Sequence, residues 1–483
     1  MTFEPSKAII LAGVACVFSI LVSAPGNGAV TRDEAARLGM TDTPLTPLGA
    51  IRAGDETLGI PAWSGGITRP PSAYRQGDWY VDPFDGDTPL FRIDSSSIEK
   101  YRDHLTPGTI ALLEKYPETF YLNIYPTRRS ASFPQWYYDG SLFNATHLEF
   151  CAPSPGPRQE ERCLRPETYQ PGIFFPIPKS GAQALWNSTF RYTGTYFSGD
   201  GHGFNAFADG GYAEYVIHDR IMLPHMMPAA ERPTHPYFAR WGGATFCNSQ
   251  EFIAPPRTAG TLNGGCSFMQ HVAVDAYIYI PGQRRVRKAP EIGFYDSPGT
   301  GSDGLRTADQ RGVFFMTGTE EWYDYAPLRQ ATYFLPYNSY ALASPAVGFP
   351  EIVKAGHVNS ELKRYELRRV WVVEARINPQ YRHLAARRTV YLDEDSWTPL
   401  GGEIYDAQDH LWRVSEVYNI NYYDAPMVQW WGDSTMDLVS GRHTGINAWF
   451  NNGARRGGKP PAVNTPFDPL YFTPQGLRNY GVR

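Results

Sequence analysis

The chain has 483 residues, of which 42% are hydrophobic and 14% aromatic, and its formal net charge is −5. A slightly acidic chain lacks the basic face that nucleic-acid binding requires, so we expect no nucleic-acid partner. Its 46 Gly and 41 Pro are spread along the whole chain. This distribution is typical of many turns between short strands and gives no sign of a linker between domains.

The first residues contain the three parts of a secretory signal. Lys7 and the amino terminus are positive, residues 8–22 form an uncharged apolar run, and residues 23–29 are small and turn-prone. The run is shorter than the about 20 apolar residues of a membrane-spanning helix. We therefore predict a cleaved signal peptide over residues 1–29 and a periplasmic location for the rest, rather than a membrane anchor or a lipoprotein modified at Cys16.

The cysteines that follow indicate the redox environment. Cys151, Cys163, Cys247 and Cys266 make an even number, which in an exported chain predicts two disulfides with three possible pairings. We favour the pairing of sequence neighbours, which closes two short loops rich in Pro, Gly and Ser. The spacings lack the close Cys pairs of zinc modules, so we predict no metal site.

The predicted elements change in type along the chain. Residues 30–184 predict a loop-rich, partly helical part with short helices at about 98–105 and 109–116. Residues 185–483 predict a meander of strands, because side chains alternate most clearly over residues 271–280 and later turns are tight and Asp-rich. We predict one mainly β domain with a few helices (α+β), whose large, strongly curved antiparallel sheet or incomplete barrel encloses helices.

Short motifs along nearly the whole mature chain carry a family resemblance. In order they are LTPLGA (45–50), IPAWSGG (60–66), LTPG (105–108), YPTRRS (125–130), FFPIPKSG (174–181), QRRVRKAP (283–290), SDGLRT (302–307), PYNSY (336–340), RYELRRVWVVEA (364–375), YLDEDSW (391–397) and YDAQDHLWRV (405–414). With them the chain resembles the domain of unknown function 1329 family of Gram-negative envelope proteins. One departure is Arg368, which stands where the family pattern has His and removes one candidate polar ligand.

The resemblance implies a fold and a cellular setting. The implied fold is similar to that of the lipoprotein carriers LolA and LolB, a curved, incomplete β-barrel around an apolar cavity, with helices as a plug. The implied partners are an efflux-type transporter of the inner membrane and an outer-membrane protein. The resemblance implies no catalytic residue.

The search for catalytic motifs favours a binding protein over an enzyme. The chain has no G-x-S-x-G nucleophile turn, and its 11 His form no H-E-x-x-H motif. The carboxylates at 393–395 have the composition of a hairpin turn. We therefore predict no cofactor and no catalytic residue.

Two features indicate a binding site. Arg284, Arg285 and Arg287 follow the strand at 271–280, whose alternate side chains would build an inner wall, and guanidinium groups hold carboxylates or phosphates. Alternatively, these side chains form internal salt bridges. The second feature is the content of 31 Tyr and 12 Trp, which suits an apolar pocket or a large β core. The predicted ligand-binding residues are Arg284, Arg285, Arg287, Arg306, Asp303, Trp63, Trp186, Tyr277, Tyr279, Trp371 and Trp397.

These expectations favour a periplasmic carrier or receptor for a hydrophobic small molecule or lipid that moves between the inner and outer membranes. The ligand would be a lipid, an acyl chain or a sterol-like compound, with its apolar body against Trp and Tyr and any acidic head on an Arg. One alternative is a periplasmic hydrolase or isomerase acting on a lipid or glycan. Another is a structural partner of an outer-membrane protein.

Overall fold

The computed structural model describes residues 30–151, 163–269, 271–288, 302–307, 309–311, 313–314, 320–448 and 458–481. The predicted signal peptide lies outside these residues. Within them, no helix is both long and apolar enough to cross a bilayer. The α-helices are α1 (Arg32–Ala35), α2 (Ile98–Tyr101), α3 (Pro107–Lys115), α4 (Gln135–His147), α5 (Gly181–Phe190), α6 (Pro236–Ala239), α7 (Tyr340–Ala343), α8 (Phe349–Ile352) and α9 (Pro474–Gly481).

Strands make up most of the second half of the chain. They are β1 (Phe91–Ile93), β2 (Leu122–Ile124), β3 (Tyr196–Ala206), β4 (Tyr212–Met222), β5 (Ala244–Ala254), β6 (Leu262–Phe268), β7 (His271–Ile280), β8 (Arg285–Lys288), β9 (Gln310–Arg311), β10 (Val313–Phe314), β11 (Tyr323–Tyr325), β12 (Arg329–Pro336), β13 (Val353–Lys354), β14 (His357–Val358), β15 (Tyr365–Ile377), β16 (Arg387–Asp393), β17 (Pro399–Tyr405), β18 (Leu411–Tyr422), β19 (Met427–Asp437), β20 (His443–Ala448) and β21 (Ala462–Val463). All but two short pairs, β9–β10 and β13–β14, belong to a 17-stranded sheet.

The sheet is an antiparallel meander with one long-range junction. From its edge at β8 it runs back through β7, β6, β5 and β4 to β3, which pairs with β20. It then continues through β19, β18, β17 and β16 to β15, which pairs with β11 and β12 and, at one position, in parallel with β2. The predicted fold class is confirmed: the protein has a large, mostly antiparallel sheet with few helices, and the sheet is not closed into a barrel.

Helix α5 shows how strongly the sheet bends. At its first residue, a Cβ on Gly181 would meet Val373 of β15, and at its last residue the carbonyl of Phe190 bonds the ring of His225, whose other nitrogen bonds the carbonyl of Thr245 on β5. On a flat sheet the eight strand spacings from β15 to β5 would span about 38 Å. Because the ten residues of α5 span only about 15 Å, the sheet must curve around the helix.

Helix α3 covers the opposite face of the sheet from α5. Its Gly108 N–H donates to the Glu403 carboxylate of β17 at 2.7 Å, and Leu112 and Leu113 join a core cluster with Val414 of β18. Gly402 lies on the same face of the sheet as Val373, which contacts α5. Glu403 is the next residue along β17 and lies opposite Val414, so both belong to the other face. The helix predicted at 109–116 therefore packs on the sheet, but on the face opposite α5 and not in the concavity, where it was expected.

Both predicted disulfides are present in the structure. Cys151 is bonded to Cys163, and Cys247 on β5 is bonded to Cys266 on the neighbouring strand β6. In the second pair the two cysteines are direct cross-strand partners, so this disulfide ties together two adjacent strands of the sheet.

A continuous run of ion pairs, which we call the charge chain, links the amino-terminal half to the sheet. Its members, in order of contact, are Arg128, Asp87, Arg364, Glu366, Arg368, Asp393, Asp395, Arg129, Glu394 and Arg369. The set contains five arginines and five carboxylates, with Asp393 and Asp395 both paired with Arg368, so it is neutral when all are ionised. Three family motifs, at 125–130, 364–375 and 391–397, supply nine of the ten residues.

The centre of the charge chain is almost completely removed from water. Arg129 Nη2 lies 2.6 Å from Asp395 Oδ1, and Arg368 Nη2 lies 2.8 Å from Asp393 and 3.0 Å from Asp395. Burial, with Asp395 as a neighbour, raises the pKa of Glu394 to about 7, whereas the pKa of Asp395 is lowered because the attraction of Arg129 and Arg368 outweighs its burial. Arg368, the departure from the family pattern, thus has an internal partner on each side.

We predict that Gly140→Ala destabilises the protein although it lies inside a helix. Alanine normally stabilises a helix relative to glycine by about 1 kcal/mol, but a Cβ at Gly140 of α4 would lie 1.9 Å from the backbone carbonyl oxygen of Pro171. The helix must then shift, so we expect a net loss of about 2 kcal/mol in the free energy of unfolding, measured by urea denaturation. Gly86→Ala, with no atom within 4 Å of the added Cβ, is the matched control. Equal stability of both variants would contradict the predicted contact.

We predict that breaking the charge chain is far more costly than breaking a surface ion pair. Arg129→Met leaves Asp395 and Glu394 buried with one cation fewer, so the free energy of unfolding should fall by about 3–5 kcal/mol. The matched control is Arg376→Met, because the Arg376 side chain is 58% exposed against 3% for Arg129 and its loss should cost less than about 1 kcal/mol. Chemical denaturation of both variants measures the two losses in the free energy of unfolding. A loss for Arg129→Met as small as that for Arg376→Met would show that the ion pairs of the charge chain do not depend on one another.

Candidate ligand-binding cavity

An apolar cavity lies at the junction where β3 pairs with β20, close to β18 and β19. We call it the inner cavity, and its lining residues are Phe204, Leu342, Phe349, Ile352, Val358, Tyr418, Trp431, Gly432, Asp433 and Gly445. Phe204 lies opposite Gly445, and Tyr418 lies opposite Gly432. In each pair a glycine faces a ring, so the ring side chains have room above the sheet that a second side chain would fill.

The other wall of the inner cavity is a separate segment of the chain. Residues 337–364, which we call the cover, leave the sheet at the end of β12, form α7, α8 and the β13–β14 hairpin, and return at β15. Leu342, Phe349, Ile352 and Val358 of the cover face the cavity, and Phe349 contacts Phe204 edge to face with ring centroids 5.1 Å apart. The cavity thus lies between a fixed sheet and a locally folded cover.

The two ends of the cover are tied to the charge chain. At the first end, the Tyr337 hydroxyl donates to Asp393 at 3.2 Å and the Asn338 amide donates to Glu366 at 2.9 Å. At the other end, Arg364 is itself a member of the chain. The ends of the cover are therefore fixed, while its middle rests on apolar contacts and a few hydrogen bonds.

A buried ionic group adjoins the inner cavity through Tyr418. The Tyr418 ring lines the cavity, and its hydroxyl donates to Glu416 at 2.8 Å. Glu416 also accepts from the Tyr365 hydroxyl and pairs with the ammonium of Lys363 at 3.0 Å. That ammonium lies 4.2 Å from the Phe120 ring centroid, and burial lowers the pKa of Lys363.

Two buried histidines hold the middle of the cover in place. His443 Nε2 bonds the Lys354 carbonyl at 2.9 Å, so its Nδ1 is free to accept from Ser434 at 3.3 Å. His357 Nδ1 bonds the Val358 carbonyl and its Nε2 accepts from Thr119, both at 2.9 Å. Each ring uses one nitrogen as donor and one as acceptor, as a neutral imidazole does. Burial lowers the pKa of both rings to about 4.

The predicted basic cluster lies far from the inner cavity. Arg285 and Arg287 are exposed on β8, an edge strand that pairs with β7, and Arg284 is exposed in the preceding turn with a left-handed φ of 47°. Strands β4 to β7 separate β8 from the cavity wall at β3. We expected β7 to build the inner wall and one of these arginines to point inward. In the structure, β7 is not part of the cavity wall and all three arginines are exposed.

The other predicted charged residues lie at the back of the cavity wall. Arg306 is buried, and its guanidinium lies 2.5 Å from Asp433, a residue of the cavity wall, and 3.0 Å from the Thr435 hydroxyl. Asp303 pairs with Arg442 near the surface. Arg306 and Asp303 therefore belong to two separate ion pairs.

The predicted aromatic residues are mostly core or loop anchors. Trp186 is buried in α5. Trp63 is half-buried, and the guanidinium carbon of Arg52 lies 5.0 Å from the centroid of the Trp63 ring. The rings of Trp371 and Trp397 stack at 5.9 Å, and the Trp397 indole donates to the Leu48 carbonyl. On β7, Tyr279 packs against α9 in a cluster with Leu477, and the Tyr277 hydroxyl donates to Asp275. They therefore lie in several separate places, and the cavity lining does not include them.

The cavity-lining residues were not predicted from the sequence, although two signals were present. The stretch from Tyr340 to Val358 is apolar but fits neither strand nor helix periodicity, which is typical of a segment that packs on a sheet without joining it. In β18, Glu416 interrupts a buried row formed by Val414 and Tyr418. A charge in such a row indicates a buried partner, here Lys363.

Comparisons with known proteins identify the family of this chain. The profile of the family described as "Protein of unknown function (DUF1329)" matches residues 92–478, and an uncharacterized protein of Pseudomonas aeruginosa is 34% identical over 99% of this chain and 100% of its own length. The chain therefore belongs to the DUF1329 family, as its motifs indicated.

Among solved structures, a DUF1329 family protein from Desulfovibrio piger is 13% identical with a TM-score of 0.39, and 62% of this chain covers 97% of that one. A LolA superfamily protein from Nitrosomonas europaea is 10% identical with a TM-score of 0.35, at 61% and 98% coverage.

We predict that mild acid loosens the cover through its histidines. Because the folded rings have a pKa of about 4 against an ordinary value of 6.5, the unfolded chain binds protons between these values and the folded chain does not. The free energy of unfolding should therefore fall as the pH drops from about 6.5 towards 4, by about 2 kcal/mol per histidine at pH 5. Hydrogen exchange over residues 340–358 should rise in the same range.

The histidine assignment is checked by substitution. His443→Gln keeps an amide donor and acceptor but cannot be protonated, so its loss of stability between pH 7 and pH 5 should be about 2 kcal/mol smaller than that of the wild type. His410→Gln is the matched control, because the His410 side chain is 77% exposed. If the wild type and His443→Gln lose the same stability over this interval, the buried ring is not the cause.

Proposed function

We propose that this protein is a periplasmic carrier that binds a hydrophobic molecule in the inner cavity and moves it between the inner and outer membranes. The observation that carries the proposal is the inner cavity itself, which lies between a curved sheet and a separately folded, apolar cover. A carrier needs an interior that shields an apolar ligand from water and that can open at a membrane. A cover with fixed ends and an apolar middle meets both needs.

The periplasmic location is supported by covalent chemistry. Two disulfides, Cys151–Cys163 and Cys247–Cys266, are typical of proteins that fold in an oxidising compartment. A cleaved signal peptide at residues 1–29 would bring the chain there. In that compartment a transporter of the inner membrane and a protein of the outer membrane would be the donor and acceptor of the ligand.

The inner cavity is too small for a ligand unless the cover moves outward. In the described structure the cavity leaves room for little more than a water molecule, whereas ligand pockets enclose about 300–1,000 Å³. The sheet wall is held by its strand ladders, so the space must come from outward movement of α7 and α8. Binding would then shift the chain from a closed to an open state of the cover.

The proposal predicts that filling the cavity abolishes ligand binding. Ile352→Trp places a large ring at the cavity wall, and the affinity for the neutral hydrophobic dye Nile red should fall about tenfold or more. The matched control is Ile253→Trp, because Ile253 is 48% exposed on β5, and its affinity should equal that of the wild type. Fluorescence titration measures the affinity, and thermal melting confirms that both variants fold.

Native mass spectrometry of the exported wild type adds a second readout. We expect a bound apolar molecule in the wild type and Ile253→Trp, and none in Ile352→Trp. A wild type that binds no dye and yields no small molecule would reject the carrier and favour a structural partner of an outer-membrane protein. Chemical change of the bound molecule during incubation would favour the hydrolase or isomerase alternative.

A further inference from the structure

The polar groups around the inner cavity define the chemistry of its ligand, an inference that rests on the proposed function. Two carboxylates lie near the cavity, Glu416 behind the Tyr418 hydroxyl and Asp433 on the strand that forms the wall. Each already has its own buried cation, with Lys363 at 3.0 Å from Glu416 and Arg306 at 2.5 Å from Asp433. Both ion pairs are therefore neutral units within the protein.

The strand register determines which of these groups face the cavity. Tyr418 lies opposite Gly432, and Glu416 lies opposite Ser434, so these positions share the face covered by the cover. Asp433 lies opposite Val417 and belongs to the other face, where Arg306 also bonds the Thr435 hydroxyl. Arg306 is thus on the far side of the sheet and cannot meet a ligand without crossing it.

Among the described residues on the cavity face, the Tyr418 phenol lines the cavity itself, and a second phenol, an alcohol, a neutral imidazole and one carboxylate lie behind it. These are Tyr365, Ser434, His443 and Glu416, and His443 is bonded at both nitrogens. Within the part of the chain that the structure describes, the buried cation on this side is Lys363, which is held between Glu416 and the rings of Phe120 and Tyr365; Lys354 of the cover is exposed. A buried acidic ligand head would thus approach a carboxylate, and the buried cation beside it is already paired.

Burying an acid head here would leave a charge without a partner, which is far more costly than burying a hydroxyl that finds one. A hydroxyl can donate to Glu416 or accept from Tyr418, and it needs no change in the charge of the site. We infer that the ligand is a neutral, hydroxyl-bearing hydrophobic molecule, an alcohol of a long chain or of a fused ring system, whose hydroxyl meets the Tyr418–Glu416 pair. This inference replaces the expected acidic head on an arginine.

The inference is tested by competition between two ligands of equal chain length. Decanol and decanoate, which is ionised at neutral pH, are each titrated against Nile red bound to the full-length mature protein. We expect decanol to displace the dye at a concentration about tenfold or more below that of decanoate. Equal displacement, or stronger displacement by decanoate, would overturn the inferred ligand class while leaving the carrier proposal intact, because the dye still binds.

Two variants test which residues are responsible. Glu416→Gln leaves the Lys363 ammonium without its counter-charge, so decanoate should gain affinity and the preference for decanol should disappear. Tyr418→Phe keeps the ring and fold and removes the hydroxyl, so decanol should lose several-fold in affinity while Nile red and decanoate do not change. If Glu416→Gln does not fold, Tyr418→Phe alone decides, and an unchanged preference for decanol in it would overturn the assignment.

A final outcome separates this inference from the proposed function on which it rests. If Nile red, decanol and decanoate all fail to bind the wild type, the inner cavity is not a binding site and both conclusions fall. Glu361→Gln serves as the surface control, since this acid is exposed near Lys363 in sequence and pairs with Arg92. It should reproduce the wild-type preference.

Discussion

The charge chain is the interaction on which the arrangement of the molecule depends. Five arginines and five carboxylates run from Asp87 and Arg128, through β15, to the β16–β17 turn. Desolvating ions is costly, and a buried ion left unpaired costs more still. The ion pairs of the charge chain must therefore form together, when its amino-terminal members dock on the sheet. The same docking fixes the two ends of the cover and so determines the position of the cavity.

The fixed ends of the cover bear on how its middle would open in the proposed function. Because Tyr337 and Arg364 are tied to the charge chain, the proposed opening would detach the middle of the cover from Phe204 and Tyr418 and leave the sheet folded. What holds the middle is apolar contact and the hydrogen bonds of two neutral histidines. Local opening of such a segment costs less free energy than global unfolding, and a ligand that occupies the opened space would favour it.

The sequence predicts those parts of this fold that are set by local rules. Strands β7 and β15 to β18 follow from alternation and from tight Asp-rich turns, and the cysteine pairs follow from proximity in the chain. Helices α4 and α5 were not predicted, because residues such as Gly140, Asn144 and Asn187 are poor helix formers and are buried. Their stability comes from packing rather than propensity. The bend of the sheet likewise depends on contacts between β15, α5 and β5, which no local pattern contains.

The binding site shows the same limit more sharply. The alternating strand chosen for the cavity wall, β7, lies four strands from β3 in the sheet. The inner cavity lies instead on the face of the sheet opposite α5, the face that also carries α3. Alternation tells which side chains share a face, not which strand lies next to a cavity. The better local signal is a charged residue in an apolar row. Glu416 lies between Val414 and Tyr418, and a buried carboxylate needs a cation as its partner. Lys363 is that partner, and the pair is neutral overall. In the proposed binding site a neutral interior would select neutral ligands, so the burial of one carboxylate would constrain what the protein can bind.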